Sequence, residues 1–262
     1  MKNLEIRKNN WWREKFINRL LRLIYWLDNT NNNDFETNGE KNFLEQLAHY
    51  YSEPMTVFDV GANLGGYAEL FIKSRKRKGD KIHLFEPQKK CQETLSQKFS
   101  ASPEILLNGF GLSDKEAEAP IYKNREASSL ASLYQRDLNL YGITLNVEEK
   151  ISLSTGAHYV EEKGIKKINL LKIDVEGHEL NVLAGFKNYL HSDFIDFIQF
   201  EYGGANLASH TNLSDFYQLL NSRGFNLYKM RRHYLEERPY HHRLENFAYQ
   251  NFVAISQRLL TK

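Results

Sequence analysis

The sequence predicts an α/β fold built on a mostly parallel, doubly wound sheet. Two observations carry that reading. Strand-like and helix-like patterns alternate from Thr56 to Ser256, as they do when crossover helices cover both faces of a parallel sheet. In addition, Val57-Phe58-Asp59-Val60-Gly61-Ala62-Asn63-Leu64-Gly65-Gly66-Tyr67 reads as a buried strand, a tight glycine turn and the start of a helix. That is where an open α/β sheet holds a nucleotide-like ligand, at the carboxyl end of its first strand. The 262 residues suffice for one large domain with additions.

The elements follow in order. Trp11 to Leu27 forms an amphipathic helix, with Trp12, Phe16, Leu20, Leu23, Ile24 and Leu27 near one face and Arg19 at its edge. Asn29 to Asn33, nearly all Asn, reads as a linker. Residues 1–33 are therefore a helical arm and 34–262 the main domain. Strands are expected at Thr56–Val60, Lys81–Glu86, Glu104–Asn108, Ile168–Asp174, Ile195–Glu201, Phe225–Met230 and Asn251–Ser256. Helices are expected at Tyr67–Lys76, Gln88–Phe99, His178–Leu190 and Leu213–Arg223. Residues 109–167 and 231–250 are too long for simple connections, and long insertions at the site-bearing end of a sheet are often functional.

The glycine turn narrows the cofactor. A dinucleotide fingerprint needs glycine where Asn63 stands, so that the backbone can approach a pyrophosphate. Asp59, at the strand end, would repel one. A cofactor suited to this place carries positive charge and no phosphate, and S-adenosylmethionine (SAM) fits. Glu86 and Pro87 end the second strand, and a carboxylate there is placed to accept hydrogen bonds from a ribose diol. The candidate cofactor residues are Asp59, Gly61, Ala62, Asn63, Gly65, Tyr67, Glu86 and Pro87.

The fourth strand runs into Asp174-Val175-Glu176-Gly177-His178-Glu179, beside the first strand in a doubly wound order. Asp174, Glu176 and His178 would share one side of an extended chain. A neutral His178 at a helix start could act as a base, whereas Glu179 suits first-turn stabilisation. Glu201, near the glycines 203 and 204, adds a carboxylate to the same rim. Asp174, Glu176, His178 and Glu201 are the candidate catalytic residues. They could orient a polar acceptor and remove its proton. A divalent metal is the weaker alternative, since their spacing matches no metal motif. Cys91, the sole cysteine, reads as helix filler, and His241 and His242 read as surface groups, with a substrate contact as the alternative.

These blocks resemble the FkbM family of SAM-dependent methyltransferases. The resemblance is carried by VFDVGANLGGYAELF, HLFEPQ, NGFGLSD, ASSL, LLKIDVEGHE, IQFEY and NFVAI, in order over roughly residues 55–256. It implies a class I methyltransferase fold, a Rossmann-like sheet of seven strands with the last one antiparallel. It also implies O-methylation of a hydroxyl, often on a sugar, glycoconjugate or secondary metabolite. Carried over, the cofactor positions are Asp59, Gly61, Asn63, Gly65 and Glu86, with Leu112 and Ser113 for adenine. Asp174 and Glu176 become the acidic pair of the site, with Asp174 the first choice for the group that orients or deprotonates the acceptor. At residues 154–157, where relatives often carry an acidic residue, this chain has Ser-Thr-Gly-Ala.

The rival reading is a catalytically silent SAM-binding or scaffolding subunit that acts through its N-terminal helix. The carboxylates at 174, 176 and 201 argue against it. A net charge of only +2 gives no argument for nucleic acid. One cysteine suits a reducing compartment, and no apolar run is long enough to span a bilayer, so a cytoplasmic protein is expected. For the stripe on residues 11–27 three destinations are open: its own domain, a second copy in a homo-oligomer, or a membrane surface. Glu5, Glu14 and Asp28 dilute the cations Arg13, Lys15, Arg19 and Arg22, which favours burial.

Overall fold

The computed structural model of the protein describes residues 10–75 and 77–260. Two helices, α1 (Trp11–Asp28) and α2 (Glu40–Tyr50), precede the alternating core. The core opens with β1 (Thr56–Val60), α3 (Gly66–Ser74), β2 (Lys81–Phe85), α4 (Lys89–Lys98) and β3 (Ile105–Asn108). A side sheet follows, made of β4 (Gly111–Ser113), β5 (Ala117–Lys123) and β6 (Val147–Thr155), and then α5 (Gly156–Lys163). The chain returns to the main sheet through β7 (Ile168–Ile173), α6 (Glu179–Gly185), β8 (Ile195–Tyr202), α7 (Ala205–Ser209) and α8 (Leu213–Ser222). It closes with β9 (Phe225–Met230), β10 (Leu235–Glu237), β11 (Gln250–Ser256) and α9 (Gln257–Leu260).

The main sheet runs β10-β9-β11-β8-β7-β1-β2-β3. From β8 to β3 all pairings are parallel, and β11 lies antiparallel between β8 and β9. The seven expected strands are all present. The eighth, β10, is a short edge strand antiparallel to β9, formed within the 231–250 insertion. Successive residues of a strand face opposite sides, which divides the core into two layers. Phe58, Phe85, Tyr159, Phe186 and Phe200 pack on one face of the sheet. Val57, Leu84, Leu170 and Phe197 pack with Phe43, Leu47 and Phe71 on the other. α2 carries Phe43, Leu44 and Leu47 into that second layer.

Differences from expectation have local causes. The first core helix was expected to reach Lys76, which lies outside the described residues, but it ends at Ser74. The helix expected over His178–Leu190 gives way after Gly185 to a tighter turn at Lys187–Tyr189. The Asn-rich segment is docked and does not serve as a loose linker. Asn29 and Thr30 are buried, and the Asn29 amide donates to the carbonyls of Asn38 (2.7 Å) and Met230 (3.2 Å). Asp28 pairs with the buried Lys229 and, at 2.9 Å, with Arg231. The expected burial of α1, on its own domain or on a second copy, is not provided by its own domain: none of its side chains is buried within the chain. Glu5, part of that expectation, lies outside the described residues.

Candidate functional site

The carboxyl ends of β1, β2, β7 and β8 open into one cavity of about 1060 Å³. Ligand clefts typically measure roughly 300–1,000 Å³, so this one has room for a cofactor together with a second molecule.

β1 ends in a turn that cannot tolerate a side chain at residue 61. Gly61 has φ +84°, and a Cβ there would lie 1.9 Å from the carbonyl oxygen of Asp174. The absent side chain lets the ends of β1 and β7 touch, with the Asp174 N–H donating to the Val60 carbonyl at 2.9 Å. Gly65, at φ +77°, leaves room for Phe99 and Leu95 of the following layer. Asn63 adopts φ +47°, and its amide turns away to the Ser128 carbonyl at 3.2 Å.

Glu86 closes this side. Its two oxygens accept the backbone N–H groups of Asn63 and Gln88, each at 2.8 Å. A carboxylate offers about four lone-pair sites, so two remain for a ligand. Burial pushes the Glu86 carboxyl up to about 7 despite those two bonds.

The opposite wall is acidic. The Asp174 carboxylate takes the Lys172 ammonium at 2.9 Å, and Glu176 takes Arg136 at 2.7 Å. Glu176 stands at φ +56°, a backbone conformation that costs a non-glycine residue about 1–3 kcal/mol. The turn is held by Glu179, which accepts the N–H groups of Val175 (3.1 Å) and Gly177 (3.0 Å), and by Ser132, which donates to the Glu176 carbonyl at 2.8 Å. Glu179 is thus the stabiliser expected of it, acting on the turn before the helix. Glu201 is half-buried on the same wall, and its carboxylate has no hydrogen-bond partner among the described residues. Burial and the neighbouring carboxylates Asp174, Glu176 and Glu179 push its carboxyl well above the ordinary value.

His178 reaches the wall with both ring nitrogens hydrogen-bonded. The Ser113 hydroxyl donates to Asp114 at 2.9 Å, so the His178 Nε2–H donates to Ser113, also at 2.9 Å. Nδ1 then accepts from the Tyr134 hydroxyl at 2.9 Å. Burial lowers the imidazole to about 4, and both nitrogens are occupied. Through these two bonds His178 ties Ser113 to Tyr134 behind the acidic wall.

Of the candidate residues, Gly61, Asn63, Glu86, Pro87, Leu112, Asp174, Glu176, His178 and Glu201 line the cavity. Asp59, Ala62, Gly65, Tyr67 and Ser113 do not. Asp59 lies beneath the floor, with neither oxygen hydrogen-bonded and Lys172 3.9 Å away. Burial raises it to about 6. Tyr67 donates to Gln199 at 2.6 Å, and Gln199 donates to the buried Glu40 at 2.6 Å. Lys172 stands among Asp59, Asp174 and Glu40, and those carboxylates raise its pKa against its own burial. Sequence reasoning missed Asn31, Phe35, Ser128, Arg136 and Tyr249 on the cavity wall. The lengths of the 109–167 and 231–250 insertions and the block ASSL were the signals for Ser128, Arg136 and Tyr249, and none of them assigned a role. Asn31 is held there by Tyr249, its N–H donating to the Tyr249 carbonyl at 2.7 Å. His241 and His242 are exposed and lie outside the cavity, and Cys91 is buried in α4.

The donor set fits a cationic cofactor. Glu86, Asp174, Glu176 and Glu201 face the cavity and Asp59 and Glu40 lie under it, against Lys172 and Arg136. Among the described residues, no group of three or more His, Cys, Asp and Glu is arranged to hold a metal ion.

This sheet order, with its antiparallel β11 and a cavity at the parallel strand ends, is that of a class I methyltransferase, whose methyl donor is SAM. A profile of the methyltransferase FkbM domain matches residues 59–227, more than half of the chain, and the chain belongs to that family. Similar proteins include the hexuronic acid methyltransferase AglP of Haloferax volcanii, 29% identical over 155 residues, which are 59% of this chain and 59% of AglP. The methyltransferase sdnD of Sordaria araneosa is 30% identical over 167 residues, 53% of this chain and 62% of sdnD. The match therefore spans about three fifths of the length of either relative. A solved FkbM methyltransferase from Methylobacillus flagellatus aligns with 93% of this chain and 60% of its own, at 12% identity and a TM-score of 0.49. Among the described residues no helix is long and apolar enough to cross a membrane.

Proposed function

We propose that this chain is a SAM-dependent O-methyltransferase acting on a neutral hydroxyl of a sugar, glycoconjugate or small hydroxylated metabolite. One observation carries the reading. A carboxylate suited to a ribose diol, Glu86, shares its cavity with an unpartnered carboxylate of raised proton affinity, Glu201. SAM supplies an activated methyl group, so the protein's part is to position the acceptor and take its proton. Asp174, fixed by Lys172, orients the hydroxyl, and Glu201 in its ionised form takes the proton. Arg136 holds Glu176 in place.

The charge pattern bears on the acceptor. Arg136 is the single Lys or Arg among the described residues lining the cavity, and Glu176 already occupies it. An acidic acceptor would meet the carboxylates of Asp137, Asp174, Glu176 and Glu201 and no free cation. AglP acts on a hexuronic acid, as its name states, but the wall of this chain suits a neutral acceptor better.

The test is turnover of SAM by purified protein against neutral sugars, lipid-linked glycans, uronic acids and hydroxylated metabolites. The expected product is a base-stable methyl ether. A base-labile methyl ester, an N-methylated product, or binding of NAD in place of SAM would overturn the proposal.

A further inference from the structure

Among the described residues, α1 carries the most exposed apolar side chains of any element. Ten of the eighteen exposed large apolar side chains among the described residues lie on it, including Trp12 at 73%, Phe16 at 63% and Leu27 at 65% exposure. All three tryptophans of the chain, Trp11, Trp12 and Trp26, are there. At about 100° per residue, Trp12, Phe16, Leu20, Leu23, Ile24 and Leu27 form one face; Arg19 lies at its edge with Lys15 and Arg22 beyond, and Arg13 falls within it near the start of the helix. No carboxylate among the described residues lies within ion-pair distance of Arg13, Lys15, Arg19 or Arg22. Lys15 instead lies 3.5 Å from the Trp11 ring centroid, and Arg232 extends the basic border 5.2 Å from that of Trp26. Asp28, which seemed to dilute this charge, is neutralised by Lys229, Arg231 and Arg238. A helix with tryptophan, phenylalanine and leucine on one face and cations in and beside it suits the plane of a headgroup region.

We propose that α1 is a peripheral anchor for an anionic lipid bilayer. A symmetric dimer through this face would bring two copies of the same four cations together, and interface cores are depleted of charge. An anionic surface neutralises them. The helix is firmly tied to the catalytic unit, because Asp28, Asn29 and Thr30 anchor its end. Asn31, Asn33 and Phe35, immediately beyond, line the cavity. Docking of α1 therefore opens the cavity beside the lipid surface. If the proposed methyl transfer holds, acceptors carried on lipid gain access; that consequence alone rests on the functional reading.

The tryptophan distribution supplies the assay, since the protein's tryptophan fluorescence reports α1 alone. Full-length protein is mixed with vesicles of phosphatidylglycerol and phosphatidylcholine, or of phosphatidylcholine only. The expected result is a blue shift and co-flotation with the anionic vesicles, weakened by salt. Arg19→Gln and Arg22→Gln should each reduce the affinity roughly fivefold. Leu20→Ser with Leu23→Ser should abolish flotation, while an unchanged melting temperature shows that the fold is intact. Absence of flotation with anionic vesicles overturns the proposal. So does a concentration-dependent dimer that shows the same blue shift without lipid. Neither result touches the methyl-transfer reading, which is read by SAM turnover without vesicles.

Discussion

With the ribose diol seated on Glu86 as proposed, proton linkage should make SAM affinity depend on pH with a definite sign. Burial raises this carboxyl to about 7 in the ligand-free protein. A ribose diol donates two hydrogen bonds, which only the ionised form accepts fully. Binding therefore selects the ionised protein and releases a proton wherever Glu86 is protonated beforehand. The observed association constant scales with the ionised fraction. That fraction rises roughly eightfold between about pH 6 and about pH 7.5 for a group of pKa about 7. Asp59, raised to about 6, adds up to about twofold, because a sulfonium nearby favours its charge. SAM affinity should then increase roughly ten- to fifteenfold over this interval. Titration calorimetry across the pH series measures it, and repeating it in buffers of different ionisation heat counts the protons released. Glu86→Gln, which does not titrate, should flatten most of the dependence. It should also weaken SAM about ten- to a hundredfold, as expected for hydrogen bonds lost to a charged group. Affinity that stays constant or falls as pH rises would refute the placement of Glu86 against the ligand.

Three further perturbations probe the rest of the site. Asp174→Asn and Glu201→Gln should each lower turnover by roughly 10²–10⁴ while SAM still binds, as calorimetry on the same variants will show; full activity in Glu201→Gln would return the proton to Asp174. His178 is held at about 4, below its usual 6.5, so the unfolded chain takes up its proton first as pH falls. Its contribution to stability is complete above about pH 6.5 and is lost down to about pH 4, on the order of 3 kcal/mol. Urea titrations of wild type and His178→Gln should therefore converge as the pH is lowered, and parallel curves would remove this role. Gly61→Ala places a methyl group 1.9 Å from the Asp174 carbonyl at φ +84°, so the β1–β7 contact must open. A loss of more than about 3 kcal/mol is expected in denaturant titration, together with loss of SAM binding.

Much of the fold was legible because its signals are local. Apolar runs bounded by glycine, proline and acidic residues mark β1, β2, β7 and β8 to within a residue or two. The pairing of β1 with β2 and of β7 with β8 follows from the preference for consecutive parallel strands to lie side by side. α2 escaped notice because its apolar residues, Phe43, Leu44 and Leu47, are few and their partners lie far along the chain. Glu86 and the 174–178 turn could be placed at the site from their positions at strand ends alone.

The sequence by itself determined the sheet, the end of it that bears the site, and the acidic character of that end. Each depends on residue type and spacing along a strand. Tertiary structure decided which carboxylates are free to act. Asp174 and Glu176 are matched by Lys172 and Arg136, His178 is closed off by Ser113 and Tyr134, and Glu201 is left without a partner. It also decided that Asn31 and Phe35 belong to the cavity wall and that α1 stands exposed beside it. Pairing and burial are set by residues distant in sequence, across contacts that no local pattern encodes.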